Sequence, residues 1–174
     1  MQKPNFDKNK IIEDIIRVYH AGEYGAKRIY QGQIDFIPKK DQDVIIHMLD
    51  QEKEHLDYFE KKVASKKVRP TILLPLWHIG GYFMGAITAA RGTKQAMICT
   101  EAVEEVIDKH YEEQKLSLEE LDEPEMLEKI KKFQEDELDH MEIAKKYNLT
   151  NHKPIGYRII NKICHLAILL SKKF

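Results

Sequence analysis

Apolar residues recur along this chain at intervals of three and four over long stretches, the period of a helix buried on one side. From Lys10 to Phe36 the stripe runs through Ile11, Ile12, Ile15, Ile16, Val18 and Tyr19 and continues at Ala26, Ile29 and Tyr30. Ile37-Pro38-Lys39-Lys40 interrupts it, because proline lacks a backbone donor and clashes with the preceding turn. Asp41 is placed to cap a second helix reaching about Lys67, with Val44, Ile45, Met48, Leu49, Leu56, Phe59 and Val63 inward. A third runs from Thr93 to about Leu118, marked by Met97, Val103, Val106, Ile107 and Tyr111. Leu121-Asp122-Glu123-Pro124 turns the chain into a fourth, Glu125 to about Tyr147, with Leu127, Ile130, Phe133, Met141 and Ile143. The pattern predicts an all-α protein, one domain over residues 1–174, built on helix hairpins at about 10–67 and 93–147.

Two segments depart from that alternation. Residues 71–90 contain no Asp, Glu, Lys or Arg, a length that could span a bilayer, but Pro75, His78, Gly80, Gly81 and Gly85 argue against a spanning helix. It reads either as a buried connecting helix or as an interfacial one. Residues 155–172 set Ile159, Ile160, Ile163, Leu166, Ala167 and Leu170 against Arg158, Lys162 and Lys172, a basic amphipathic helix suited to a membrane surface or a partner.

Several acids and histidines fall on the inward stripes. Glu52 and His55, and again Glu137 and His140, are three residues apart and project from one face of a helix, where carboxylate and imidazole can reach one metal ion. Eight histidines and 18 glutamates in 174 residues give about 0.8 such pairs by chance, so the motif alone decides little. Spacing decides more. Glu23 lies 15 residues before Pro38 and Glu52 14 after it, so an antiparallel pair returns both to one height. Glu104 lies about 17 residues before the centre of the second turn and Glu137 about 16 after it. Each hairpin therefore sets one glutamate opposite one Glu-x-x-His, the arrangement of ferritin-like di-iron or di-manganese bundles. Glu101 and Glu105 are neighbours of Glu104 on the same helix and alternatives to it. Gly22 and Gly25 beside Glu23 suggest a close approach by another helix.

A net charge of −1 gives no overall pull toward nucleic acid. Its distribution is uneven: acids crowd into 101–142, whereas 151–174 carries Lys153, Arg158, Lys162, Lys172, Lys173 and no acid. Cys99 and Cys164 stand far apart and read as free thiols in a reducing compartment. Met1 to Phe6 has neither an apolar run nor an Arg/Ser-rich stretch, so no signal or transit peptide is expected.

Residues 17–26 (RVYHAGEYGA) closely resemble the first-helix motif of the demethoxyubiquinone hydroxylases of ubiquinone biosynthesis. The similarity continues through Asp50 to Leu56, Val68-Arg69-Pro70-Thr71, Pro75-Leu76-Trp77, Ala102 to Glu105, His110-Tyr111 and Phe133 to His140. One departure is Tyr19, where the family has Asp before the histidine that is His20 here.

The resemblance implies a di-iron monooxygenase that hydroxylates the ring of a demethoxylated ubiquinol precursor with O2. It favours Glu104 as the fourth carboxylate. Glu23, Glu52, His55, Glu104, Glu137 and His140 would hold two Fe ions, with Glu52 and Glu137 bridging and Glu23 and Glu104 terminal. It leaves the electron donor open between NADH and the quinol. It also implies an isoprenoid quinol substrate, a membrane surface, a lipid-binding partner protein and a possible homo-oligomer. The expected location is the cytoplasmic face of a bacterial inner membrane, or the matrix face of a mitochondrial one. Two other functions remain at this point: a ferritin-like iron-storage or peroxide-scavenging protein, and a membrane scaffold with a vestigial metal site.

Overall fold

A computed structural model describes residues 8–148 and 153–174. The reading of Met1 to Phe6 and the start of the basic stretch at Asn151 lie outside the described residues. Among these, six α-helices and no strands are found: α1 (Lys8–Phe36), α2 (Gln42–Lys66), α3 (Leu74–Ala89), α4 (Thr93–Glu120), α5 (Pro124–Tyr147) and α6 (Ile155–Lys173). The architecture is the all-α, ferritin-like bundle expected, with α1 packed on α2 and α4 on α5, and α3 and α6 added against α1 and α4.

Local chemistry sets the turns. Pro38 ends α1 and leads into a 3-10 turn, Lys39–Asp41. Asp41 makes no side-chain cap to α2, contrary to expectation. Its Oδ2 accepts instead from Thr93 Oγ1 at 2.6 Å, tying the first hairpin's turn to the start of α4. At the end of α2, Lys67 adopts a left-handed conformation (φ 54°) and Val68 N donates to Val63 O. Asp122 (φ 54°) closes α4 in the same way, with Glu123 N donating to Leu118 O.

The bundle interior has two apolar ends. One gathers Ile12, Ile16, Tyr19, Phe59, Tyr111, Leu118, Ile130 and Phe133. The other gathers Tyr30, Ile37, Ile45, Met48, Met97 and Ala144. Each helix of the two hairpins contributes to both, and along each the glutamates and histidines named above fall between the two contributions.

Glycines fix how α3 lies on α1. A methyl group added to Gly85 would sit 1.9 Å from Ile29 O, and one on Gly32 2.1 Å from Tyr82 O. Added to Gly81 it would stand 2.9 Å from Gly25 O. The close helix approach expected near Gly22 and Gly25 is found at Gly25, whose carbonyl lies under Gly81 of α3; a side chain on Gly22 or Gly25 would itself point into open space, and the tightest contacts fall at Gly32 and Gly85.

The two departing segments are neither fully buried nor spanning. Among the described residues, no helix is long and apolar enough to cross a membrane. The α3 helix buries Gly85, Ala86 and Ala89 but exposes Leu76, Ile79, Phe83 and Ile87, with Ile72 exposed just before it. In α6, Tyr157 and Ile160 face inward, whereas Ile159, Ile163, Leu166 and Leu169 face out. The apolar stripe of that helix is therefore divided between two surfaces.

Candidate metal centre

Glu23 on α1, Glu52 and His55 on α2, Glu104 on α4, and Glu137 and His140 on α5 converge in the middle of the bundle. All six are buried, with exposures between 0% and 2%. They form two overlapping groups, one of Glu23, Glu52, His55 and Glu137 and the other of Glu52, Glu104, Glu137 and His140. Within each group one nitrogen or oxygen per residue lies within 4.8 Å of the others. Glu52 and Glu137 belong to both groups; Glu23 and Glu104 each belong to one. Glu101 is buried nearby, but its Oε2 accepts from Asn148 Nδ2, and Glu105 is engaged by Lys109, Lys153 and Tyr157.

The electrostatics of these six residues are those of a site that can exchange protons for cations. Burying an unpaired carboxylate costs on the order of several kcal/mol, and here four share one apolar interior. Burial, then the nearby charge of Glu137, pushes both Glu52 and Glu104 well above the ordinary carboxylate range. Burial acts the same way on Glu137, but the hydrogen bond from His140 Nδ1 and the nearby His55 imidazole (3.3 Å) overcome it and hold that carboxyl low. Burial lowers His55, yet its partners Glu137 and Glu23 push it up to about 12. Without metal, neutral Glu52 and Glu104 and two protonated imidazoles balance the two remaining carboxylates. Two divalent cations with neutral imidazoles would balance all four carboxylates in their ionised form.

The hydrogen bonding agrees. Glu23 Oε2, both oxygens of Glu52, His55 Nδ1, Glu104 Oε2 and Glu137 Oε1 are buried without a hydrogen-bond partner. Buried lone pairs are normally satisfied. Six unsatisfied ligand-type atoms on residues that converge here are what a metal pair would use. Carboxylate oxygens with one imidazole per position suit iron or manganese.

The outward-facing atoms of these residues are tied down in pairs. Tyr111 Oη donates to Glu23 Oε1 and Tyr30 Oη donates to Glu104 Oε1, both at 2.8 Å. His55 Nε2 donates to Asp136 Oδ2 and His140 Nε2 donates to Gln51 Oε1, both at 3.0 Å. Sequence patterning took Tyr30 and Tyr111 for apolar stripe positions and gave Gln51 and Asp136 no role. One signal existed: Gln51 and Asp136 each directly precede a glutamate of the pair shared by both groups. Tyr19, the departure before His20, stacks on Phe59 (4.9 Å) and lies 4.7 Å from Tyr111, so it serves as packing beside the centre. His20 is buried on α1, and burial lowers its basicity.

An apolar groove of about 650 Å³ lies beside the bundle between α1, α3, α4 and α6. Ala21, Gly22, Gly25 and Ala26 form its floor, Trp77, Phe83 and Ile87 one wall, and Ile159, Ile163 and Ala167 the other. Ala26, Ile29 and Val103, which line the groove, also border a small void with no room for a water molecule, and Tyr30 and Glu104 lie on its other side. At one end the walls are joined: Trp77 Nε1 donates to Ser171 Oγ (3.0 Å) and Ile72 N to Phe174 O (3.2 Å).

An all-α bundle whose centre brings together four buried carboxylates and two imidazoles is a ferritin-like carboxylate–histidine protein. Within that class the chain belongs to the family described as ubiquinone biosynthesis protein COQ7, whose family model matches residues 10–171. It is 48% identical over 140 residues to the mitochondrial NADPH-dependent 3-demethoxyubiquinone 3-hydroxylase of Dictyostelium discoideum, covering 79% of this chain and 64% of that protein. It is 42% identical over 175 residues to the protein of the same name from Rattus norvegicus, covering 94% and 78%. To the 3-demethoxyubiquinol 3-hydroxylase of Rhodospirillum rubrum it is 46% identical over 136 residues, covering 77% and 64%.

Proposed function

We propose that this chain is an O2-dependent di-iron monooxygenase that adds a hydroxyl group to the ring of a demethoxylated ubiquinol precursor. The observation that carries the reading is the pair of overlapping ligand groups separated from an apolar groove by one thin layer of apolar side chains, Ala26, Ile29 and Val103. The names of the relatives supply the substrate class and the reaction.

Glu23 and His55 would hold one iron and Glu104 and His140 the other, with Glu52 and Glu137 between them. Bound there, the metals would supply activation of O2 and delivery of one oxygen atom to the ring, the second leaving as water. The protein's own part is positioning. Tyr111 and Tyr30 hold the terminal carboxylates by one oxygen each, leaving the other free to ligate. The substrate ring would lie against Ala26, Ile29 and Val103; closed as they are here these side chains keep bulk water from the metals, and they must part for the ring to reach them. The isoprenoid tail would lie in the groove, for which Gly22 and Gly25 leave room on the floor. An apolar groove of this kind has no use in iron storage. The reductant in the names of the two mitochondrial relatives is NADPH, and we read a reduced nicotinamide nucleotide as the electron source here, beside the quinol itself.

Outward-facing Leu76, Phe83, Ile159 and Ile163, beside Arg158, Lys162, Lys172 and Lys173, suit peripheral seating on one leaflet. The relatives' names include mitochondrial proteins, which fits the matrix face of the inner membrane. The test is turnover by purified protein loaded with Fe(II), given O2, reductant and demethoxyubiquinol in vesicles. Product should form, and Glu137→Ala should abolish it and lose about one metal equivalent. Full metal content and full turnover in Glu137→Ala would overturn the assignment.

A further inference from the structure

The two imidazoles of the centre are not held independently. Gln51 and Asp136 each reach across the bundle to the histidine of the opposite motif, and they also meet each other, with Gln51 Nε2 donating to Asp136 Oδ1 at 2.9 Å. The result is one unbroken hydrogen-bonded chain: His55, Asp136, Gln51, His140.

Donor chemistry gives that chain a direction. A carboxylate only accepts, so both groups facing Asp136 must donate. His55 does so through Nε2–H, and Gln51 through its NH2. An amide with its NH2 turned to Asp136 presents its carbonyl to His140, whose Nε2 must then donate as well. Nδ1 is then the atom that faces the carboxylates: without metal it carries a hydrogen toward them, as where His140 Nδ1 donates to Glu137 Oε2, and a cation taking that hydrogen's place would meet the Nδ1 lone pair of each ring. His55 Nδ1 is 3.3 Å from Glu137 Oε1 and 3.7 Å from Glu23 Oε2. His140 Nδ1 is 3.1 Å from Glu137 Oε2 and 3.4 Å from Glu52 Oε1.

We propose that Asp136 is a positioning residue for both metal positions: directly at His55, and through Gln51 at His140, it fixes the tautomer in which each imidazole can ligate. The inference rests on the di-metal reading above. It assigns to one partly exposed carboxylate the orientation of two buried ligands on different helices.

Replacement by an amide makes the claim testable. In Asp136→Asn the side chain has one accepting oxygen and one NH2, and it cannot accept from both neighbours. With its NH2 toward His55, that ring is driven to carry hydrogen on Nδ1. With its NH2 toward Gln51, that amide turns over and confronts His140 with a donor. Either way one imidazole loses its ligating lone pair. Combining Asp136→Asn with Gln51→Glu restores the pattern, because the accepting carboxylate now sits in the middle at position 51. It receives from His140 and from the new amide, whose oxygen remains free to receive from His55.

Metal-free full-length protein titrated with Zn2+ by equilibrium dialysis reads this without oxygen chemistry. Zinc is diamagnetic, so 15N-resolved imidazole spectra of the loaded protein report which ring nitrogen carries hydrogen. The parent should bind two equivalents with hydrogen on both Nε2 atoms. Asp136→Asn should bind one equivalent as tightly and the second about 10- to 100-fold more weakly. The exchanged pair should regain two tight equivalents and both Nε2–H signals, and it carries the test by itself if the single variant folds poorly. Two tight equivalents in Asp136→Asn would overturn the inference while leaving the metal centre standing, as would failure of the helical exchanged pair to recover the second equivalent. Absence of zinc binding by the parent would overturn the di-metal reading itself.

Discussion

Gly85→Ala separates the groove from the metal centre. A methyl group at position 85 would lie 1.9 Å from Ile29 O, 2.8 Å from Ile29 C and 3.0 Å from Gln33 N, all backbone atoms of α1 with no rotamer to escape into. Restoring ordinary contact requires α3 to move off α1 by roughly 1 Å, and such overpacking costs about 1–3 kcal/mol. At about 2–4 °C per kcal/mol for a chain of this size, Tm falls by several degrees even after the modest gain in helix propensity. The metals should stay, because α3 carries none of the six residues and its displacement opens the groove rather than the bundle. Gly25→Ala is the contrasting case. It has open space within 4 Å, so stability should rise by up to about 1 kcal/mol. Its methyl group would enter the groove, however, and raise KM for long-tailed substrate. Thermal melts followed by circular dichroism, metal analysis and steady-state kinetics on the two variants check this. An unchanged Tm in Gly85→Ala, or an equal loss in Gly25→Ala, would refute the packing argument.

Three further expectations follow from the same geometry. Tyr111→Phe leaves Glu23 Oε1 buried without its donor, so metal affinity measured by dialysis should fall about 10-fold, with helicity unchanged. Asp substitutions at Leu76 and Phe83 should impair flotation with anionic vesicles and turnover of long-tailed substrate while metal content stays at the parental level; unimpaired flotation would show that these exposed positions do not meet lipid. Glu105, held down to about 2 chiefly by Lys109, Lys153 and Tyr157 against the effect of its burial, anchors α6 to α4. A lowered folded-state pKa stabilises above the unfolded value and is lost as pH falls through the folded one, so amide protection of α6 should decline between about pH 4.5 and 2. Glu105→Gln should show the loosened α6 at neutral pH.

The hairpins and the six residues at the centre were legible because both follow from helical arithmetic. A helix period places Glu23, Glu52, His55, Glu104, Glu137 and His140 on inward stripes, and equal distances from two turns bring them to one height. Choosing Glu104 over Glu101 and Glu105 needed either the family resemblance or the partners that occupy the other two. What surrounds the centre was hidden for a chemical reason. Tyr30 and Tyr111 count as apolar in a periodicity, yet their hydroxyl groups do the orienting. Gln51 and Asp136 look like ordinary polar positions until two helices from different hairpins are placed side by side. The glycine reading found the approach of α3 at Gly25 but not the tighter contacts at Gly32 and Gly85, since composition marks small residues without showing which of them point at the neighbouring helix. Asp41 had the composition of a cap, but a hydroxyl from another helix claimed its carboxylate.

The central claim is that this chain moves one atom of O2 onto a quinol ring at a carboxylate–histidine metal pair. The most direct measurement is isotopic. Iron-loaded protein is given reductant and a demethoxyubiquinol in vesicles under 18O2, and the product ring is examined by mass spectrometry. The account predicts label in the new hydroxyl group, and no product from Glu52→Ala or Glu137→Ala protein. A hydroxyl group labelled from 18O-water instead, or undiminished product from those variants, would contradict it.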